Sequence, residues 1–460
     1  MELTAAEIAA GADGTLRSGP ATARASSFGI DSRLLEPGGC FVALVAARDG
    51  HDFVPDAWER GAAVAVVSRP VDPPPPGRAV VEVDDGLRAL GALGRLARHH
   101  LGAIPVIAVT GSAGKTATKD LTAAAIASRL RVHKSPVSFN NEAGVPLTLL
   151  GAPAGTEVVV TEIGARFTGN IAALAEIARP TIGIITHVGL AHAGLLGGRE
   201  GIAAVKGELV EALPPDGLAI LNGDCPSVDA LAARAPGRVA RVGRSEDADV
   251  RVIGLRVDDR LRPSFTLSTA GGDAPVTLAL PGEQQATNAA MAAAAALELG
   301  VPLAAAAAGL GSARPAPLRM AVELSPGGVL VINDAYNSSP TSAAAALRAL
   351  GRVAVSGQRM AVLGEMLELG GYAPAAHAEL GALAAEVGVD LLVTVGEGAR
   401  AIGEAARAAG VTVVDTPDRC AARVAVSGAA RSGDAVLVKA SRAVGLELVA
   451  AALLDPGSAP

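Results

Sequence analysis

The residues best placed to do chemistry lie in Thr110-Gly111-Ser112-Ala113-Gly114-Lys115-Thr116, directly after the apolar run Val106–Val109. A buried strand entering a glycine-bearing turn, with a helix starting at Lys-Thr, points several backbone N–H groups at one place. The helix N-terminus adds partial positive charge, so the turn suits phosphate. Lys115 would reach the outer phosphates of a nucleoside triphosphate and the Thr116 hydroxyl would ligate Mg²⁺. The spacing is not that of the common phosphate loop, which would need Gly at position 109, where Val stands.

Other candidates also stand at the ends of apolar runs, where ligands gather in open α/β sheets. Glu162 follows Val158–Thr161, and a carboxylate there suits Mg²⁺, which prefers hard oxygen donors. On local evidence it could equally be a solvated glutamate or a helix cap. His187 and His192 follow Thr181–Thr186, and either could be structural. Lys206 lies in a helical stretch and by itself reads as a surface charge. The segment Asp334-Ala-Tyr336-Asn337-Ser-Ser-Pro340 ends another apolar run. Its polar groups suit nucleotide contacts, or could simply cap the helix begun at Pro340. A second glycine turn, Gly396-Glu-Gly398, reads better as tight packing than as a dinucleotide site.

The elements that must position these residues are marked by the pattern of apolar runs. Val106–Val109, Val158–Thr161, Ile182–Thr186 and Ala219–Leu221 are unbroken rather than alternating. Strands of a parallel sheet covered on both faces by helices should look like this. Helices are expected over Thr116–Arg129 and Ile171–Ile177. A first region, residues 1–100, mixes short strands (Cys40–Val45, Ala62–Val67) with short helices and carries the loop Asp72-Pro-Pro-Pro-Pro-Gly77. A third begins near 313, after Ser312-Ala-Arg-Pro-Ala-Pro317, with runs at Val329–Ile332, Met360–Leu363, Leu391–Val395, Val411–Val414 and Ala435–Val438. Three α/β domains, 1–100, 101–312 and 313–460, are the reading.

Bulk composition excludes several classes. Net charge is −7, with basic residues scattered, so no nucleic-acid surface is expected. Cys40, Cys225 and Cys420 have no metal-like spacing and no disulfide pattern, which points to the cytoplasm. The N-terminus lacks the basic start and apolar core of a signal peptide. The apolar stretch Ala286–Leu310 contains Glu298, Gly300 and Pro302, so two buried alanine-packed helices are expected there rather than a membrane span.

Taken together, these segments resemble the Mur ligase family along nearly the whole chain. Its loop pattern T-G-x-x-G-K-T is met by Thr110–Thr116. Its central Glu and His match Glu162 and His192, and Lys206 falls where members carry a carbamylated lysine. The resemblance implies a central parallel-sheet, P-loop-type ATPase domain between an N-terminal uridine-nucleotide-binding α/β domain and a C-terminal Rossmann-like α/β domain. It implies ATP and Mg²⁺ as cofactors, with Gly111, Ser112, Ala113, Gly114, Lys115, Thr116, Asn288, Arg319 and Asp334 at the nucleotide. Thr116, Glu162, His192 and carbamylated Lys206 would hold metal, and Lys115, Glu162, His192 and Lys206 would carry the chemistry.

Within the family, Asp334–Pro340, Ser138–Pro146 and Val362–Gly370 resemble the branch that joins D-alanyl-D-alanine to UDP-N-acetylmuramoyl-tripeptide in peptidoglycan synthesis. That implies substrate contacts from Asn140, Asn141, Tyr336 and Asn337, and from Ser32, Arg33 and Asp49 in the uridine-nucleotide part. A monomer is expected. Alternatives within the superfamily are the tripeptide-forming ligase, a folylpolyglutamate synthase or an inactive relative; outside it, a phosphate-loop switch protein. Departures from the family pattern are Ala117 for Thr, Gln284 for His, Leu318 and Ala440 for Gly, and a segment Val45–Arg48 one residue short.

Overall fold

The computed structural model describes residues 1–190 and 193–455. Three large sheets organise it, beside a two-stranded pair of Leu3–Thr4 with Arg24–Ala25. The first has five strands in the order Thr15–Ser18, Ala79–Glu82, Val64–Val67, Cys40–Val42 and Phe28–Gly29, parallel except for the edge strand Thr15–Ser18. The expected strand Cys40–Val45 stops at Val42 because the chain turns sharply. Gly50 N–H donates to the Leu44 carbonyl at 2.8 Å and Val45 bridges to Asp49.

The 15-residue helix Gly86–His100 leaves this sheet with its N-terminus capped by the Asp85 side chain, which accepts from Arg88 N–H. It buries Ala89, Leu90, Leu93 and Ala97. It also packs on Gly144–Leu150 and Asn170–Ala178 of the next region. Gly94 makes this crossing possible, since a Cβ there would sit 2.8 Å from the Pro146 side chain.

The second sheet has nine strands. Its parallel part runs Val132–Lys134, Val158–Glu162, Val106–Thr110, Ile182–Ile185, Leu218–Asn222, Arg238–Gly243 and Val250–Val257, and two antiparallel strands, Pro263–Thr269 and Gly272–Thr277, extend it. The unbroken apolar runs form strands buried on both faces, as expected. Val106–Thr110 lies between Val158–Glu162 and Ile182–Ile185, so the carboxyl ends of three strands converge where the chain reverses its direction across the sheet.

Helix Lys115–Ile126 covers one face together with Gln284–Glu298 and Leu303–Ser312, the two helices expected from the alanine-rich stretch. Every residue from Ala286 to Ala296 is buried, but of the second helix only Ala306, Ala307 and Leu310 are, because it lies at the outer edge of the layer and its other face meets solvent. Small side chains allow this close layering: a Cβ at Gly309 would meet the Ala124 carbonyl at 2.3 Å. Among the described residues no helix is long and apolar enough to cross a membrane.

The third sheet has six strands in the order Ala321–Leu324, Leu330–Asn333, Ala435–Lys439, Arg359–Gly364, Leu391–Val395 and Thr412–Thr416, parallel except for the first. The second and third sheets meet directly. Leu261, from the central hairpin, is buried in the same apolar cluster as Met320 and Ile332. Gly194 and Gly370 approach so closely that a Cβ on Gly194 would meet the Gly370 nitrogen at 2.6 Å.

Candidate active site

A cavity of about 1160 Å³ opens between the second and third sheets. On its central wall the glycine turn is stapled to the end of the neighbouring strand. Ser112 N–H donates to the His187 carbonyl at 2.8 Å, and its hydroxyl donates to the Gly189 carbonyl at 2.9 Å while accepting from Gly189 N–H at 3.0 Å. The Thr186 hydroxyl donates to the Ala113 carbonyl. Gly111 could not be replaced, since its φ is 147° and a Cβ there would lie 2.0 Å from the Thr186 hydroxyl.

Lys115 opens the helix, and its ammonium donates back to the Gly111 carbonyl at 2.8 Å, across the mouth of the turn. Burial holds this ammonium below the usual lysine range; Arg319 adds to the depression and Glu162 opposes it. The Thr116 hydroxyl donates to Glu162 Oε2 at 2.7 Å, and Asn140 Nδ2 donates to Glu162 Oε1, also at 2.7 Å. Glu162 is 1% exposed, so the solvated-glutamate reading fails. A hydroxyl and a carboxylate oxygen this close, at the start of the helix that follows the glycine turn, form a donor pair that fits Mg²⁺.

Lys206 is 2% exposed, not the surface charge its local sequence suggests. Burial, then the neighbouring Lys115 charge, lowers its pKa to about 7, against an opposing pull from Glu208. His192 lies outside the described residues.

The far wall comes from the third sheet. Arg319 lies over Tyr336, its guanidinium carbon 3.9 Å from the ring centre, and donates to the Ser138 hydroxyl of the central region at 3.0 Å. Leu318 and Met320 on either side have φ of 61° and 53°. The position where the family pattern often has Gly is a left-handed turn, and here Leu adopts it. Asp334 accepts from Met320 N–H and from Lys439 at 2.6 Å, while Lys439 also donates to the Asn337 carbonyl at 2.8 Å.

Ser112, Ala113, Gly114, Lys115, Thr116, Asn140, Asn141, Glu162, Lys206, Asn288, Arg319, Asp334, Tyr336 and Asn337 thus line one cavity. Asn288 backs the loop: a Cβ on Gly114 (φ 85°) would sit 3.1 Å from its side-chain oxygen. Ser32, Arg33 and Asp49 lie apart, in the first sheet's loops. Asp31 pairs with Arg33 at 2.7 Å, and Arg33 is the main cause of an Asp31 pKa of about 2. Asp49 accepts from His51 and Arg69, so both its oxygens are engaged. Gly396 and Gly398 do not line the cavity and form a tight turn into helix Arg400–Ala408, as the packing reading expected.

Sequence reasoning singled out neither Thr186, Lys119 nor Lys439 as a site residue. All three work through backbone carbonyls or distant carboxylates, which no local motif announces.

Comparison with known proteins gives a consistent picture. The Mur ligase middle domain model matches residues 109–296, and the model for the Mur ligase, glutamate ligase domain matches 318–442. The UDP-N-acetylmuramoyl-tripeptide–D-alanyl-D-alanine ligase of Mycobacterium bovis is 43% identical over 92% of this chain and 91% of its own. The enzyme of that name from Escherichia coli is 33% identical, covering 93% of each chain. A crystal structure of MurF from Acinetobacter baumannii superposes with TM-score 0.87, 29% identity and 99% coverage of both chains. MurF ligase from Thermotoga maritima in complex with ADP superposes with TM-score 0.77 and 28% identity, over 92% of this chain and 96% of that one.

Proposed function

The chain belongs to the Mur ligase family, and on that premise we infer that it joins D-alanyl-D-alanine to the free carboxylate of UDP-N-acetylmuramoyl-tripeptide, cleaving ATP to ADP and phosphate in peptidoglycan precursor synthesis. The observation that carries the chemistry is the single cavity in which the phosphate turn, the Thr116–Glu162 pair and the Arg319–Tyr336 wall face one another.

Hydroxide is a poor leaving group, so the carboxylate must first be activated. Its oxygen attacks the γ-phosphorus of ATP; the bond to the bridging oxygen breaks, ADP leaves and an acyl phosphate forms. The dipeptide amine then attacks the acyl carbon. The tetrahedral intermediate loses a proton from nitrogen and expels phosphate, leaving the amide. The turn's N–H groups and Lys115 would hold the β- and γ-phosphates and offset charge as it moves. Thr116 and Glu162 would hold Mg²⁺, which supplies charge neutralisation at the transferring group. Asn288, Arg319 and Asp334 would position the nucleoside. Asn140, Asn141, Tyr336 and Asn337 would meet the two acceptor substrates, and Ser32, Arg33 and Asp49 the uridine nucleotide.

Carbamylation of Lys206 is supported by its burial and by a pKa of about 7, which leaves neutral amine to add CO₂; the carbamate, with His192, would hold a second metal. Boundaries near 100 and 312 divide the chain into substrate, central and C-terminal domains. Three free cysteines support a cytoplasmic location.

The test is phosphate release from ATP with the UDP-tripeptide, with and without D-alanyl-D-alanine. Release requiring both, with a pentapeptide product by mass, is expected. Release with a dipeptide precursor and a diamino acid instead would move the enzyme one step back in assembly. Lys115→Ala should abolish release; surviving turnover would overturn the loop's role.

A further inference from the structure

A third lysine near the phosphate turn does no work in that scheme. Lys119 lies one turn after Lys115 on the same helix and is 1% exposed, yet it does not line the cavity. Its ammonium donates to the Ser135 carbonyl at 2.7 Å and to the Val137 carbonyl at 2.7 Å, and sits 3.4 Å from Asp120. An ammonium has three N–H donors. Two of them are taken by carbonyls and the ammonium also pairs with Asp120, so the group is committed within the protein and not to a phosphate.

The two carbonyls differ in how firmly they are held. Ser135 directly follows the strand Val132–Lys134 and is tied to the sheet: its N–H donates to the Val160 carbonyl and its hydroxyl accepts from Glu162 N–H at 3.1 Å. Val137 is 65% exposed and has φ of 38°. A β-branched residue in the left-handed region is strained and persists only when its surroundings hold it there. Phe139 N–H closes the turn on the Pro136 carbonyl at 3.1 Å, and the Lys119 ammonium adds a second hold, tying the exposed Val137 carbonyl to an anchored point two residues earlier.

The chain leaves this turn directly into the metal-side wall of the cavity. Ser138 accepts from Arg319, and Asn140 donates to Glu162 at 2.7 Å. We propose that Lys119 is a positioning residue: its buried ammonium clamps the left-handed turn at Val137 and thereby fixes Asn140 against the metal-binding carboxylate of Glu162. This rests on the reading of Thr116 and Glu162 as Mg²⁺ ligands. The Asn140 carbonyl has its own anchor, Gly164 N–H at 2.7 Å. Loss of the clamp therefore misorients the carboxylate rather than releasing the whole segment. The effect is about tenfold, the size of one hydrogen bond to a charged group.

The experiment measures binding of a fluorescent ADP analogue in EDTA and in saturating Mg²⁺, and takes the ratio of the two dissociation constants. A wild-type ratio near one would sink the metal reading itself, whatever Lys119 does. With a wild-type ratio well above one, Lys119→Met should leave the EDTA constant within about twofold and cut the ratio about tenfold. The electron paramagnetic resonance signal of bound Mn²⁺ should weaken in parallel. Adding Val137→Gly removes the strain that the clamp opposes, because glycine adopts positive φ freely. The double variant should recover most of the lost ratio, which a general packing defect would not allow. An unchanged ratio, or equal weakening of both constants, would overturn the proposal. Should Lys119→Met not fold, Lys119→Gln, whose amide can still donate to one carbonyl, carries the same measurement. Failure of both to fold would make Lys119 a core residue and end the idea.

Discussion

Thr116 on the helix after the phosphate turn donates its hydroxyl proton to Glu162 on the adjacent parallel strand, 2.7 Å away. Two oxygens separated by 46 positions in sequence are thus set side by side by strand pairing, with Glu162 directly opposite Val109 in the register. If they hold the metal that neutralises the transferring phosphoryl group, Glu162→Gln keeps the shape and the bond accepted from Asn140 while removing the charge, with the Thr116 hydroxyl turning to accept from the new amide. Phosphate release at saturating Mg²⁺ should fall about a hundredfold or more, as when other transition-state charge partners are removed. Nucleotide affinity in EDTA should hold. A variant that turns over within a few-fold of wild type would place the metal elsewhere.

The Arg319–Tyr336 stack makes a different prediction, because it depends on a flat cation over a ring. Arg319→Lys keeps the charge but loses the plane and the bond to Ser138, so KM for ATP should rise about tenfold, the range of a desolvated stack. Tyr336→Phe keeps the ring and should stay near wild type, while Tyr336→Ala should match Arg319→Lys. Steady-state kinetics on the three variants checks this. Equal loss in Phe and Ala would mean the hydroxyl, not the stack, matters.

Much of this arrangement was legible in the sequence, for identifiable reasons. Unbroken runs such as Val158–Thr161 declared buried parallel strands, and Glu162 inherited its place from the end of one. The glycines flanking Ser112-Ala113 marked the turn because no other residue fits there. The strand expected over Cys40–Val45 ended at Val42 because a turn closed by Gly50 overrides the apolar pattern. Lys206 read locally as surface, since periodicity does not say which helix face meets a cavity. Lys439 finds Asp334 across 105 positions, a pairing that only the parallel alignment of their strands creates.

His377 supplies a pH dependence away from the nucleotide. It is buried, its Nδ1 faces the Ala373 carbonyl at 2.8 Å, and its Nε2 accepts from Met366 N–H at 2.9 Å. Together these contacts need the neutral ring, and burial lowers its pKa below the ordinary 6.5. A group whose folded pKa is depressed stabilises the fold above the unfolded value and loses that stability as pH falls through the folded value. Melting temperature should therefore drop as pH falls below about 6.5, and the drop should be shallower in His377→Gln. His133, also depressed by burial, keeps the slope from vanishing. A variant slope as steep as wild type would remove His377 from the account.

Lys206 should show a conflict between stability and function. Its pKa falls from 10.5 to about 7, chiefly through burial. In the unfolded chain the amine is protonated at all pH values below 10.5, whereas in the folded protein it stays neutral down to about 7. The stability it contributes is complete only above the unfolded value and declines as pH falls to the folded one, so at neutral pH the unmodified lysine costs the fold. At about 1.4 kcal/mol per pKa unit the cost is of order a few kcal/mol. Lys206→Met, close in length and apolar, should therefore raise the melting temperature of the ligand-free protein at pH 7, with the gain shrinking toward pH 10. It should also abolish phosphate release, since methionine cannot become an anionic oxygen ligand. Carbon-13 NMR of wild-type enzyme in labelled bicarbonate should show a carbamate signal absent from the variant. A destabilised variant that still turned over, in a protein without that signal, would leave Lys206 as an ordinary packing residue.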